Sequence, residues 1–185
     1  MLKVYFDNDV ASAVSRRDLN EAELRAIDQL LELHRSRRIV IGISRQSSRE
    51  MERAPFPYQS NLKAGLSGLQ RAEVDHVVLG FHTQTDPYGG FISGPLVTDI
   101  VDKPLFLELR EKIGLEDDDA KHLMYAVHNG YARFLTCDSH FLTRRTAIER
   151  RCPSIRIQKP SELAADLPAI NDGSEVDPTL ASDGA

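Results

Sequence analysis

The sequence has little cysteine and no long hydrophobic run. Its only cysteines, Cys137 and Cys152, are isolated thiols, which excludes a disulfide scaffold or a cysteine-rich zinc site and favours a reducing compartment. No stretch approaches the roughly 18–20 apolar residues that span a bilayer. The N-terminal run turns acidic at Asp7, before an apolar signal-peptide core can form. We therefore expect a cytoplasmic protein with no membrane contact.

Basic residues are missing from the C-terminal segment. Residues 161–185 contain acids but no Lys or Arg, so the net charge of −5 resides there and the rest of the chain is near neutral. Residues 168–185 are also rich in Pro, Gly, Ser and Asp, which favours disorder. We expect one globular domain over residues 1–166 and an acidic, disordered tail over residues 167–185.

Short apolar runs alternate with helical patterns along the domain. Asn20 and Glu23 have the spacing of a capping box, which predicts a helix start. The remaining patterns predict strands at 2–6, 39–43, 132–136 and 154–157, and helices at 9–17, 104–113, 120–128 and 139–150, with a short helix after Ser44. The alternation predicts an α/β fold, a three-layer α/β/α sandwich with a mainly parallel central sheet.

Glycine and proline interrupt residues 56–103. We expect a helix near 59–72, a strand near 75–82 and a loop near 84–97. This segment forms a long insertion in the predicted domain.

Acidic side chains follow the predicted strands. Asp7 ends the first strand, Asp138 lies just past the third, and Glu50 follows the second by one or two helical turns. Asp119 lies at the start of the helix that leads into the third strand. Carboxylates gathered at one sheet edge repel each other unless a divalent cation binds them, and Mg²⁺ or Mn²⁺ suits such oxygen ligands. Taken alone, Asp7 is equally well explained as a turn or helix cap, and Glu50 is better explained as a solvated helix acid. The acids at 117–119 are also explained by the helix dipole, which favours negative charge at a helix N-terminus.

Four segments together resemble the PIN-domain family, especially the VapC-like toxins. The run from Val4 to Val10 resembles an apolar strand followed by Asp-x-Asn, and Ser44 is followed by an acid, Glu50, at the sixth position beyond it. Residues 119–126, DAKHLMYA, are similar to the family's Asp-Ala-x-His-Leu segment. Residues 134–141, FLTCDSHF, are similar to its Thr-x-Asp-x-x-Phe motif. The resemblance covers roughly residues 1–55 and 104–165.

The resemblance implies a metal-dependent endoribonuclease of the toxin type, with RNA as substrate. Its metal-binding acids are then Asp7, Glu50, Asp119 and Asp138, which bind Mg²⁺ or Mn²⁺, and Thr136 is the small hydroxyl residue beside the site. A protein antitoxin and a homodimer are further partners that we consider.

Several further residues are candidates at this site. Asp9 replaces the family's usual Asn and either adds a ligand or keeps a polar contact. Asp118 can substitute for Asp119, and Ser139 can orient a water or a phosphate. Clustered arginines either hold RNA phosphates or form solvated helix faces, and the candidates are Arg45, Arg49, Arg144 and Arg145.

Two other functions stay open at this stage. The Asp7-Asn8-Asp9 run also resembles the nucleophile motif of haloacid-dehalogenase-type phosphatases, in which Asp7 would attack phosphorus. The second alternative is a non-catalytic PIN-like module that binds RNA or a protein.

Overall fold

The computed structural model describes the backbone of residues 1–44, 69–71, 77–85, 91–98 and 100–171, and the side chains of residues 1–44, 69 and 100–167. Its strands are β1 (Leu2–Phe6), β2 (Ile39–Ile43), β3 (Gln70–Arg71), β4 (Val77–Thr85), β5 (Phe91–Thr98), β6 (Arg133–Leu135) and β7 (Arg156–Gln158). Its helices are α1 (Asn8–Arg16), α2 (Glu21–Arg35), α3 (Lys103–Glu111), α4 (Asp117–His128), α5 (Ser139–Arg151) and α6 (Pro160–Asn171).

A parallel sheet forms the centre of the fold. Its five strands lie in the order β3-β2-β1-β6-β7, and every neighbouring pair is parallel. Strands β4 and β5 form a separate antiparallel pair. The predicted α/β class and parallel central sheet are confirmed.

Side chains of the central strands alternate between two cores. Val4 and Phe6 of β1 face a core built with α1, α2 and α6, whereas Tyr5 faces a second core built with α3, α4 and α5. Leu135 and Phe134 of β6 divide in the same way. Helices therefore cover both faces, which explains why these strands are apolar without a polar face.

Local signals in the sequence set most helix ends. The side chain of Asn20 accepts a hydrogen bond from Glu23 N at 3.0 Å, as the capping box predicts. Gly114 and Gly130, at φ of 78° and 68°, stand just beyond α3 and α4, where the left-handed conformation favours glycine. In the described part of the chain, no helix is both long and apolar enough to cross a membrane.

Two sequence predictions about residues 56–103 were wrong, whereas the strand expected near 75–82 largely matches β4. Residues 70–71 form strand β3 instead of ending a helix, and residues 59–68 lie outside the described residues. Most of the predicted loop at 84–97 is strand, because β4 and β5 pair from Val77↔Thr98 to Thr85↔Phe91. Pro95 is tolerated there because a two-stranded ribbon consists of edge strands.

Helix α6 extends beyond the predicted domain boundary at residue 166. Buried Glu23 of α2 accepts hydrogen bonds from Ser161 N at 2.9 Å and Ser161 Oγ at 2.7 Å, which fastens the first turn of α6 to α2. Glu162 accepts from Lys159 N at 2.9 Å and caps the helix. The predicted tail beyond Asn171 lies outside the described residues.

A side chain covers the edge of the central sheet at β7. Glu149 of α5 accepts a hydrogen bond from Ile157 N of the edge strand β7 at 2.9 Å, and it pairs with Arg156 at 2.9 Å. The backbone N–H of Arg156 points towards the neighbouring strand and donates a hydrogen bond to Ala132 O. Both backbone N–H groups are thus satisfied, one by the sheet and one by a carboxylate.

Gly42 of β2 lies directly under the ring of buried Tyr131. A Cβ at Gly42 would lie 2.7 Å from Cζ of Tyr131, so an alanine displaces the ring or the strand. We expect Gly42→Ala to lower the free energy of unfolding by about 1–3 kcal/mol, measured by urea denaturation. In a Tyr131→Leu background the same change should cost clearly less. An equal cost in both backgrounds would show that the ring is not the cause.

Candidate functional site

The carboxyl ends of β1 and β6 form one wall of an open cleft. Asp7 follows β1, and its backbone N–H donates to Leu135 O of β6 at 3.0 Å, which holds the two strand ends together. The cleft has a volume of about 390 Å³. Its lining residues are Asp7, Asn8, Asp9, Ser12, Arg16, Asp18, Leu19, Asp119, His122 and Asp138. This edge, beyond the carboxyl ends of parallel strands, is where α/β sheets bind ligands.

Asp7 is the most deeply placed carboxylate of the cleft, with 5% of its surface exposed. Its Oδ2 accepts a hydrogen bond from Thr136 Oγ1 at 2.9 Å, and its Oδ1 lies 3.9 Å from Nδ1 of His122. Burial raises the pKa of Asp7 above its usual value, while His122 and the Thr136 hydrogen bond oppose that rise. The charged form of this carboxyl is therefore costly in the absence of a cation.

Asp9 joins the start of α1 to the segment after β6. Its two carboxylate oxygens accept from Val10 N and from Cys137 N, each at 2.6 Å. Burial raises the pKa of Asp9 to about 7, and the nearby charge of Asp7 adds to the rise. Asp9 thus keeps polar contacts and also adds a carboxylate to the cleft.

Asp119 lies in the first turn of α4 and faces the cleft. Burial, and secondarily the charge of Asp138, raise the pKa of Asp119 to about 6. Asp118 is exposed and does not line the cleft. Of these two neighbours only Asp119 lines the cleft, and its role as a metal ligand stays a prediction.

Thr136 and Asp138 form the β6 side of the cleft. Thr136 is fully buried, donates to Asp7 and accepts from Asp138 N at 3.0 Å. Asp138 caps α5 through Oδ1, which accepts from His140 N at 2.7 Å, and still lines the cleft. Ser139 is exposed and does not line the cleft.

A buried polar layer lies behind the carboxylates. Nδ1 of His122 is 2.7 Å from the Tyr5 hydroxyl and 3.4 Å from Oγ of Ser44. His122 also reaches the cleft, so this layer connects the interior of the sheet to Asp7. His122 and Tyr5 stand in the two motifs quoted above, but the sequence did not indicate that they meet.

The remaining predicted site residues divide into two groups. Glu50, Arg45 and Arg49 lie outside the described residues. Arg144 donates to Ile113 O at 3.1 Å and His140 O at 3.2 Å, and Arg145 pairs with Glu162 at 2.9 Å. These contacts fasten α5 to its neighbours, and RNA binding by Arg144 or Arg145 stays a prediction.

Sequence reasoning missed the polar residues that α1 contributes to the cleft. Asn8, Ser12 and Arg16 of α1 all line the cleft. Their spacing of four residues places them on one helix face, so a polar stripe on the first helix was the available signal.

The donor set fits a hydrated divalent cation. Within the described side chains, no three His, Cys, Asp or Glu residues form a ready-made metal cage. Five carboxylates, those of Asp7, Asp9, Asp18, Asp119 and Asp138, nevertheless line one cleft. Burial and the charges of neighbouring acids raise the pKa values of Asp7, Asp9 and Asp119. Mg²⁺ suits this arrangement, because it keeps several waters and needs only one or two carboxylates from the protein.

Comparison with known proteins supports the fold. The chain is similar to a chain in the crystal structure of VapBC2 from Rickettsia felis bound to a DNA fragment from their promoter. Sequence identity is 16% and the TM-score 0.51, with 85% of this chain and 98% of that chain covered. No protein-family model matches the sequence, and a comparison with curated proteins gives no match. The likeness therefore places the chain in an α/β fold that also occurs in a VapBC assembly.

Proposed function

We propose that this protein is a Mg²⁺- or Mn²⁺-dependent endoribonuclease of the toxin type. One observation carries the proposal: Asp7, Asp119 and Asp138, from three distant segments, line a single cleft at the carboxyl edge of a parallel sheet. Three motifs that resemble the PIN-domain family thus meet in space. The likeness to a chain of VapBC2 agrees with that reading at the level of the fold.

The side chains of the cleft can hold and orient the groups that phosphodiester hydrolysis needs. Asp7, Asp119 and Asp138, with Glu50 from outside the described residues, would hold the cation. When bound, the cation supplies Lewis-acid stabilisation of the charge that develops at the phosphate. Thr136 fixes the rotamer of Asp7 by its hydrogen bond, so one carboxylate oxygen keeps a defined direction. His122 lies behind Asp7, so it limits movement of the Asp7 carboxylate towards the interior of the protein.

The proposal also includes protein partners and a cytoplasmic location. An antitoxin protein is the expected partner, because the similar chain comes from a VapBC assembly, and a homodimer remains a further expectation. Both cysteines are free thiols, as a reducing cytoplasm requires.

A haloacid-dehalogenase-like phosphatase is less well supported. That chemistry needs a lysine near the attacking aspartate, and the cleft lining in the described residues contains none. Asp7 also has one carboxylate oxygen bonded to Thr136. Trapping of an acyl-phosphate on Asp7 would support this alternative.

A digest of total RNA by the purified protein tests the proposal. We expect discrete cleavage products with Mg²⁺ or Mn²⁺ and none with excess EDTA, followed by mapping of the cut sites. An Asp7→Asn preparation purified in parallel controls for contaminating nucleases. RNA binding without cleavage under all metal conditions would instead indicate a non-catalytic module and contradict the proposed activity.

A further inference from the structure

The helical wall of the cleft carries one cation, Arg16, among the described residues that line it. Arg16 ends the stripe formed by Asn8, Ser12 and Arg16 on α1, which lines the same cleft as the carboxylates. Ser12 Oγ donates to Asp9 O at 3.0 Å, which holds the middle of this stripe to the helix start. The cleft therefore has carboxylates near the ends of the strands and an arginine at the C-terminal end of α1, where it is paired with an acid.

The ion pair between Arg16 and Asp18 is weak. Arg16 pairs with Asp18, which also lines the cleft, at 2.8 Å. Their side chains are 55% and 43% exposed, and exposed ion pairs contribute little stability. A phosphate can replace Asp18, because a guanidinium binds a phosphate through two parallel hydrogen bonds. By contrast, neighbouring Arg17 forms two short bonds with Asp28 and does not line the cleft.

We propose that Arg16 binds a backbone phosphate of the nucleic-acid substrate other than the one that is cleaved, and that Asp18 holds Arg16 in place until the substrate enters. The inference rests on the proposed nuclease function. Arg16 lies nine residues after Asp7, roughly 13 Å along the axis of α1 at about 1.5 Å per residue. That separation keeps Arg16 away from the scissile phosphate, so it positions a longer strand.

Substrate length gives a specific test. For cleavage of a single-stranded RNA 12-mer, Arg16→Gln should raise KM about five- to tenfold and leave kcat unchanged. For a dinucleotide, which has one phosphate, Arg16→Gln should change neither constant. The salt dependence of KM for the 12-mer should also weaken by about 0.7 in log–log slope, the value for one lost phosphate contact to a single strand.

Two further variants complete the test. Asp18→Asn removes the competing carboxylate and should lower KM for the 12-mer, whereas Arg17→Gln should leave KM at the wild-type value. An unchanged KM in Arg16→Gln, or an equal loss with both substrates, overturns the inference while wild-type cleavage stands. If the wild-type protein neither binds nor cleaves RNA, the proposed function fails and the inference fails with it.

Discussion

Asp7→Asn is expected to lower the rate of metal-dependent RNA cleavage by more than about a hundredfold. The amide keeps the shape of the carboxylate and can still accept from Thr136, so the fold should persist. The amide lacks the negative charge that holds a cation. The variant should therefore lose activity while it keeps its fold. Cleavage rates with Mg²⁺ and circular dichroism spectra of the same preparations measure the two effects.

Asp119→Asn provides a second test of the site, and Asp118→Asn is its matched control. The two residues are neighbours, but only Asp119 lines the cleft, so Asp119→Asn should lose most activity and Asp118→Asn should keep it. Full activity of Asp119→Asn together with loss in Asp118→Asn would place the functional acid one residue earlier.

Stability of the metal-free protein should fall as pH rises from about 4 to 7. The pKa of Asp9 is raised from its usual 3.8 to about 7, and that of Asp119 to about 6, so the folded chain binds more protons than the unfolded chain in this range. The free energy of unfolding then decreases with rising pH and levels off above pH 7. For Asp9 the full shift corresponds to on the order of 4 kcal/mol as an upper limit.

Urea denaturation in EDTA at several pH values measures this effect, with Asp9→Asn as the comparison. All other ionisable side chains are common to both proteins, so the difference in slope reports the effect of the Asp9 carboxyl group. The variant should lose less stability between pH 5 and 7 than the wild type. Added Mg²⁺ should reduce the fall in the wild type, because a cation compensates the carboxylate charges. Parallel curves for the two proteins would contradict the raised pKa.

Local patterns predicted the parallel half of the fold well. The run at 2–6 and the capping box at Asn20 depend on nearby residues only, and both elements appear where expected. The β4–β5 hairpin was missed because backbone pairing between strands outweighs the local signals of Gly94 and Pro95. Helix α6 was missed although Lys159, Pro160 and Glu162 form a local start signal, whereas its contact with Glu23 of α2 involves residues distant in sequence.

In the candidate site, too, local sequence patterns predicted some features, whereas contacts between distant segments could not be predicted. Asp7 and Asp138 follow strands directly, so the sequence alone could place them at one sheet edge. The meeting of Tyr5 with His122 depends on how α4 packs on β1, and nothing in either motif encodes that distance. Arg16 belongs to the cleft because of the way α1 packs beside the strand ends, and the local sequence of α1 does not show which of its faces borders the cleft.

The Glu149 cap on β7 restricts the ways in which this protein can assemble. An incoming strand could pair with this edge only after displacing the carboxylate from Ile157 N and breaking its ion pair with Arg156. Sheet extension is a common way for a flexible peptide to bind, and here its cost is raised at one side of the molecule. Pairing of a partner strand with β7 is therefore unfavourable. The cap also protects the folded protein against edge-to-edge aggregation through β7.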